Sequence, residues 1–245
     1  MPRMRALRPS PDDESAEQFY CDPPDGIRVN MVAGLDGAAA FGGRVRPLSD
    51  AVDHELLRAL RVYADVVLVG AGTVRAEGYG PVRLTDEEAR YRRERWALES
   101  APPIAVVTRT GNIPLDSPMF TGETKPIVVT TERAAGALDT ALTDAADILV
   151  AGNDTVDLPA AVAALRARGL RRILSEGGPT LLDDLVFHDL VDEMCLTLAP
   201  RMAGPQPQPA STGPMLEAPR TLTLEHVLVN NDFLYLRYGR GPVRD

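Results

Sequence analysis

Six short apolar runs set the problem this chain must solve: IRVNMVA from Ile27, DVVLVGA from Asp65, PIAVVT from Pro103, PIVVTT from Pro126, DILVAG from Asp147 and RRILSE from Arg171. Each is a nearly continuous stretch of Val, Ile, Leu and Ala rather than an alternation with polar residues. A strand of that kind must be covered on both faces, which is the condition of a parallel sheet sandwiched between helices. Helical patterns lie between the runs. Residues 50–62 place Val52, Leu56, Leu57 and Leu60 on one face. Residues 157–168 open on a capping Asp157, carry Pro159 in the first turn, form a stripe of Leu158, Val162 and Leu165, and stop at Gly169. A charged helix is expected from Asp86 through residue 100, with Trp96 as a packing anchor.

The C-terminal part follows another rule. EMCLTLAP from Glu193 and TLTLEHVLVNNDFLYLRYGR from Thr221 read as strands with no helix between them, and Asn230-Asn231-Asp232 reads as a hairpin turn. The expected fold is therefore α/β, a mostly parallel central sheet with helices on both faces and an antiparallel hairpin closing one edge. Residues 1–24, rich in proline and charge and without a period, read as a mobile arm ahead of a single domain over 25–245. Gly204–Pro214 reads as a mobile Pro-rich loop.

Charge and cysteine content narrow the function. The net charge is −9 and the pI about 4.9, so phosphate-rich surfaces are repelled and neither nucleic acid nor membrane is an expected partner. An anionic small ligand must then be held by local donors. Two cysteines without a Cys-x-x-Cys suggest a reduced, cytoplasmic protein, and no apolar run has transmembrane length. His54, His188 and His226 are scattered and lack metal-ligand spacing, so no metal is expected.

In an open parallel sheet, ligands sit beyond the carboxyl ends of the strands. After RRILSE comes Gly177-Gly178-Pro179-Thr180-Leu181. Proline suits the first turn of a helix, and the N–H groups of Thr180, Leu181 and Leu182 would then face a ligand phosphate; a tight turn with nothing bound is the plainer reading. After DVVLVGA comes Gly70-Ala71-Gly72-Thr73, with Thr73 placed to cap a short helix through Glu77. After PIAVVT comes Thr108-Arg109-Thr110-Gly111. An arginine there suits the 2′-phosphate of NADP, where an acid would suit NAD. The three turns together favour NADPH.

The combination VNMVAGLDGAAA, LRALRVYADVVLVGAGTVRAEGYGPVR, VVTRTG and SEGGPTLL resembles the pyrimidine reductase domain of riboflavin biosynthesis, which shares its fold with dihydrofolate reductase. The resemblance runs from about Ile27 to the C-terminus. It implies a homodimer, NADPH as hydride donor, and reduction at C1′ of a ribosylamino-pyrimidinone 5′-phosphate, opening the ribose to a ribityl chain. It implies that Gly72, Thr73 and Glu77 border the cofactor, that Thr108, Arg109, Thr110 and Gly111 meet its 2′-phosphate end, and that Gly177, Gly178, Pro179, Thr180 and Leu181 hold the diphosphate and nicotinamide side. Glu176 would face the substrate, Asp36 would lie near the reacting centre, and Arg61 and Arg83 would bind substrate, with its phosphate as the natural partner.

Three departures matter, the first two on the substrate side. Asn30 stands where many bacterial members carry lysine, Val45-Arg46-Pro47 where they carry Ser-x-Trp, and the His-x-Glu with Pro-Cys-x-x-Cys of a fused deaminase is absent. Asp36 and Glu176 are the candidate carboxylates. One would serve as proton donor if burial raised its pKa, the other as acceptor for the pyrimidine amino and ring N–H groups, in an order the sequence leaves open. Two other readings stay in view: an NADPH-dependent reductase of a pterin such as dihydrofolate, and a non-catalytic NADP-binding protein.

Overall fold

The computed structural model describes residues 17–207 and 215–241. A nine-stranded sheet forms its centre. The strands are β1 (Ile27–Gly34), β2 (Val66–Gly70), β3 (Ile104–Val107), β4 (Ile127–Thr130), β5 (Asp147–Val150), β6 (Ile173–Ser175), β7 (Val191–Ala199), β8 (Thr223–Asn230) and β9 (Phe233–Gly239). Their spatial order is β5-β4-β3-β2-β6-β1-β7-β9-β8. Every pairing from β5 across to β7 is parallel, while β9 pairs antiparallel with both β7 and β8. All six apolar runs are strands, and the dihydrofolate-reductase-like architecture expected from the sequence is the one observed.

The helices are α1 (Glu17–Tyr20), α2 (Ala51–Val62), α3 (Ala71–Glu77), α4 (Asp86–Trp96), α5 (Glu132–Ala135), α6 (Thr140–Ala145), α7 (Leu158–Ala167) and α8 (Pro179–Phe187). Two apolar layers flank the sheet. Val67, Val69, Val106 and Leu174 pack with Leu56 and Leu60 of α2 on one face; Val29, Val66, Leu68 and Val129 pack with Leu165 of α7 and Leu185 of α8 on the other. Double coverage explains why β2 is buried almost throughout. The edge strand β5 differs: Asp147 and Val150 at its two ends are exposed, because it has a neighbouring strand on one side only.

Local signals set the ends. Asp50 and Asp157 cap α2 and α7 through the N–H groups of Asp53 and Ala160. The charged helix α4 starts with a capping box of Thr85 and Glu88 and stops at Trp96, short of residue 100, because Ala97 turns left-handed. Trp96 is indeed an anchor, with the Arg172 guanidinium 4.1 Å over its ring. In the hairpin, Asn231 and Asp232 both have positive φ, as a two-residue type I′ loop requires.

One boundary is corrected. Residues 1–16 of the expected arm, and residues 208–214 of the Pro-rich loop, lie outside the described residues, but the chain at Phe19–Cys21 is packed. Tyr20 is buried, Phe19 and Cys21 pack on the core, and the guanidiniums of Arg28 and Arg237 donate to the carbonyls of Tyr20 and Phe19. The aromatic pair Phe19-Tyr20 is the apolar signal that the charge-rich composition around it masked. No helix among the described residues is long and apolar enough to cross a membrane.

Candidate functional site

The chain leaves β1 toward β2 on one side of the sheet and leaves β6 toward β7 on the other. The β1–α2 and β6–α8 connections therefore diverge onto opposite faces, and the crevice between them is the switch point at which open α/β sheets bind ligands. Asn30, Asp36 and Glu176 border it.

Glu176 is the first residue beyond β6 and is buried to 8% exposure. Arg61, in the last turn of α2, grips it with a two-pronged pair, Nε to Oε1 and Nη2 to Oε2, each at 2.7 Å. The Tyr79 hydroxyl donates to Oε2 as well. Burial opposes the charge on Arg61, but the Glu176 carboxylate outweighs it and holds the guanidinium above its ordinary range. Burial also pushes the Tyr79 phenol well above its usual value, with Glu176 adding to the effect, so Tyr79 remains a donor. Nε and Nη2 of Arg61, expected to bind substrate, are thus engaged by the carboxylate, since a buried acid at a strand end requires a partner. Tyr79 went unnoticed in the sequence. Its signal was its place one residue after a glycine that ends a helix, Gly78, which is left-handed.

Asp36 sits in a different environment from the one expected of a proton donor. It is exposed in the Gly34–Gly37 turn, accepts the Gly204 N–H at 2.7 Å and the Ala38 N–H at 3.4 Å, and the Gly204 bond holds its carboxyl below the ordinary value. Desolvation acts the other way but is outweighed by these backbone N–H groups. What Asp36 does is tie the β1–α2 loop to the segment after β7. The same two segments are joined by Leu35 N–H to Arg201 O at 2.7 Å, Gly42 N–H to Gln206 Oε1 at 3.0 Å and Arg201 Nη1 to Ser49 O at 3.0 Å. Between them Phe41, Pro47, Leu48, Arg201, Met202 and Ala203 line an open hollow of about 390 Å³. Asn30 lies on β1 with its Oδ1 buried and without a hydrogen-bond partner. Arg83 is exposed and bonded to none of these residues.

The glycine turns meet. Gly70 N–H bonds Gly177 O at 2.8 Å, and a Cβ on Gly178 would lie 2.6 Å from Thr73 Oγ1. The Gly177–Gly178 peptide is cis. Thr73 does not cap α3: Gly70 occupies that position and Thr73 is already helical, its hydroxyl turned instead toward the neighbouring turn. Helix α8 starts at Pro179 on Gly178 with no side-chain cap. Of the three N–H groups expected to be free, Leu182 donates to Gly178 O as the first intrahelical bond, leaving those of Thr180 and Leu181. A Cβ at Gly72 would meet open space.

On the third turn, Arg109 and Thr110 are exposed at the end of β3, and the Arg109 guanidinium has no partner among the described residues. Thr108 is buried and its hydroxyl accepts the Gly111 N–H at 3.1 Å, so it shapes the turn rather than facing a ligand. Gly111 has a φ of 69° and packs where a Cβ would strike Leu138. Arg75 of α3, unremarked in the sequence, donates to Asn112 O at 3.0 Å and brings a second cation to this turn. Glu77 turns to the substrate side instead, where its Oε1 accepts the Val45 N–H at 2.8 Å. An uncapped helix start, an open glycine and a free guanidinium along one sheet edge suit a phosphorylated dinucleotide.

Comparison with known proteins gives a consistent picture. Residues 26–234 match the RibD C-terminal domain. A protein of Archaeoglobus fulgidus named 2,5-diamino-6-ribosylamino-4(3H)-pyrimidinone 5′-phosphate reductase is 30% identical over 186 residues, covering 75% of this chain and 84% of the relative. The crystal structure of a pyrimidine reductase-like protein from Corynebacterium diphtheriae superposes with a TM-score of 0.79 at 28% identity, over 94% of this chain and 99% of the other. The Thermotoga maritima deaminase/5-amino-6-(5-phosphoribosylamino)uracil reductase has the same fold at 17% identity and a TM-score of 0.69, and this chain spans 57% of it.

Proposed function

Because the chain belongs to the RibD C-terminal domain family, we propose that it is an NADPH-dependent reductase of the riboflavin pathway, converting the ribosyl group of an amino-ribosylamino-pyrimidinone 5′-phosphate to ribityl. Its relatives are named reductases, and it is an oxidoreductase of that kind. The observation that carries the finer reading is the crevice itself. A buried, fully oriented carboxylate at the β1–β6 switch point stands next to an uncapped helix start and a glycine pair.

In this reading the N–H groups of Thr180 and Leu181 hold the cofactor diphosphate, Gly177 and Gly178 let it approach the backbone, and Arg109 with Arg75 receives the adenosine 2′-phosphate. When bound, NADPH supplies the hydride to C1′ of the opened ribose. Glu176 accepts a pyrimidine N–H and orients the ring. Asp36 takes no part in proton transfer and holds the substrate-side loop to the chain after β7. The phosphate of the substrate falls to cations other than Arg61, and Arg83 is free to serve.

We extend the proposal to a homodimer. Leu196 and Leu198 of β7, Leu234 and Leu236 of β9 and Val227 and Val229 of β8 share one sheet face by register and belong to neither apolar layer. Such a face suits a second copy. The test of the activity is NADPH oxidation by the purified chain with three additions: the pyrimidinone phosphate, dihydrofolate, or neither. Rapid oxidation with the pyrimidinone alone is expected. Turnover confined to dihydrofolate would replace the substrate, and none with either would leave a binding protein.

A further inference from the structure

One short stretch of chain, residues 70–79, touches the glycine turn, the substrate-side loop and the buried carboxylate. Gly70 bonds Gly177, Thr73 lies against Gly178, Glu77 holds Val45 of the substrate-side loop, and Tyr79 reaches Glu176. Arg61, the other partner of Glu176, arrives from α2.

A carboxylate offers about four acceptor positions, two on each oxygen. The Arg61 fork takes one on Oε1 and one on Oε2, and the Tyr79 hydroxyl takes the second on Oε2. One position remains, on Oε1. Resting on the function proposed above, we infer that Tyr79 is a positioning residue for Glu176, closing Oε2 so that the substrate heterocycle meets the carboxylate through Oε1 and a single N–H. Arg61 alone leaves the carboxylate a freedom. A guanidinium can pair side-on or end-on with either oxygen, and each pairing aims the vacant position differently. A third bond from outside the fork removes that choice. The phenol suits the task because its ring is rigid and lies under the Arg61 guanidinium, 5.4 Å from its centre.

Tyr79→Phe deletes one oxygen and keeps the ring. With the pyrimidinone phosphate, kcat/KM is expected to fall at least about tenfold while KM for NADPH stays within about twofold, because the cofactor contacts lie elsewhere. A residue acting through Glu176 also has nothing left to do once Glu176 is altered. Read as the dissociation constant of the pyrimidinone phosphate, Tyr79→Phe is expected to weaken binding at least about fivefold in the parent and less than about twofold in a Glu176→Gln background. A loss of the same size in both backgrounds, or a single variant as fast as the parent, overturns the assignment. A crystal structure of Tyr79→Phe needs no substrate: Glu176 is expected rotated or in two conformers, and an unmoved carboxylate overturns the proposal whatever the substrate is. If the parent protein reduces no pyrimidinone phosphate but Glu176 moves in that crystal, the positioning role stands and the substrate assignment falls.

Discussion

Arg109 has an exposed guanidinium with no partner among the described residues, in a chain of net charge −9. Most exposed arginines are simply solvated, so its claim to a ligand rests on place: it follows β3 at the same sheet edge as Thr73 and Gly177. Arg75 reinforces it by fixing the neighbouring Asn112 carbonyl. Arg109→Ala is expected to reduce the preference for NADPH over NADH, measured as a ratio of kcat/KM values, by about tenfold or more, since a phosphate–arginine contact is charge-assisted and bidentate. An unchanged ratio would remove the 2′-phosphate from this turn. At this scale the sequence was legible where a residue type has few uses. A carboxylate at the end of a buried strand needed a partner, and Glu176 has two. It was not legible which partners those were. Arg61 and Tyr79 lie 115 and 97 residues away in the chain, and nothing local marks either as a neighbour of Glu176. The parts of Asp36 and Glu176 could not be told apart in the sequence, because an Asp-Gly turn and an active carboxylate look alike there; their difference in burial belongs to the fold.

At the scale of elements, periodicity did most of the work. The six apolar runs, α2, α7 and the hairpin needed only strand and helix patterns, caps and turn residues. The short helices α5 and α6 were missed because four and six residues are too few to show a period. The helix α1 was missed too, and it has a consequence for pH. Its Phe19 and Tyr20 pack edge-on against the His226 imidazole, with ring centres 5.3 and 4.9 Å away. Burial pushes His226 down to about 4, and the charge of Arg237 on β9 adds to this; Arg28 on β1 acts the same way and Glu193 on β7 opposes. The unfolded chain therefore binds more protons than the folded one between pH 6.5 and about 4. The stability that depends on neutral His226 is complete above that window and is lost as the pH falls through it. The urea midpoint of the parent protein is expected to drop between pH 7 and pH 5, and to drop less in His226→Phe. Equal drops would show that the imidazole stays neutral at no cost. Asp25 and Asp189, held low by Arg171 and Arg240, act at more acid pH, and Asp184, raised by burial, acts with the opposite sign in parent and variant alike.

For the molecule as a whole, the sheet has two characters. From β5 to β1 it is covered on both faces; across β7, β9 and β8 one face carries aliphatic side chains that join no core. If that face meets a second copy, Leu236→Glu, which puts a charge at its centre, should yield monomers in sedimentation velocity where the parent protein sediments as a dimer; a monomeric parent would contradict the assignment. The fold class was legible because parallel sheets demand doubly apolar strands, whereas the uncovered face was not, since a strand awaiting a partner molecule reads like one already covered. The proposed reaction delivers a hydride to the sugar carbon of a pyrimidine lying beside Glu176. The most direct measurement uses NADPH carrying deuterium at both C4 positions, with the pyrimidinone phosphate as acceptor and mass spectrometry and NMR of the product. One deuterium bound at C1′ of a ribityl chain is the result expected; a ribityl product without deuterium at that carbon, or cofactor oxidised while the ribose stays closed, would contradict it.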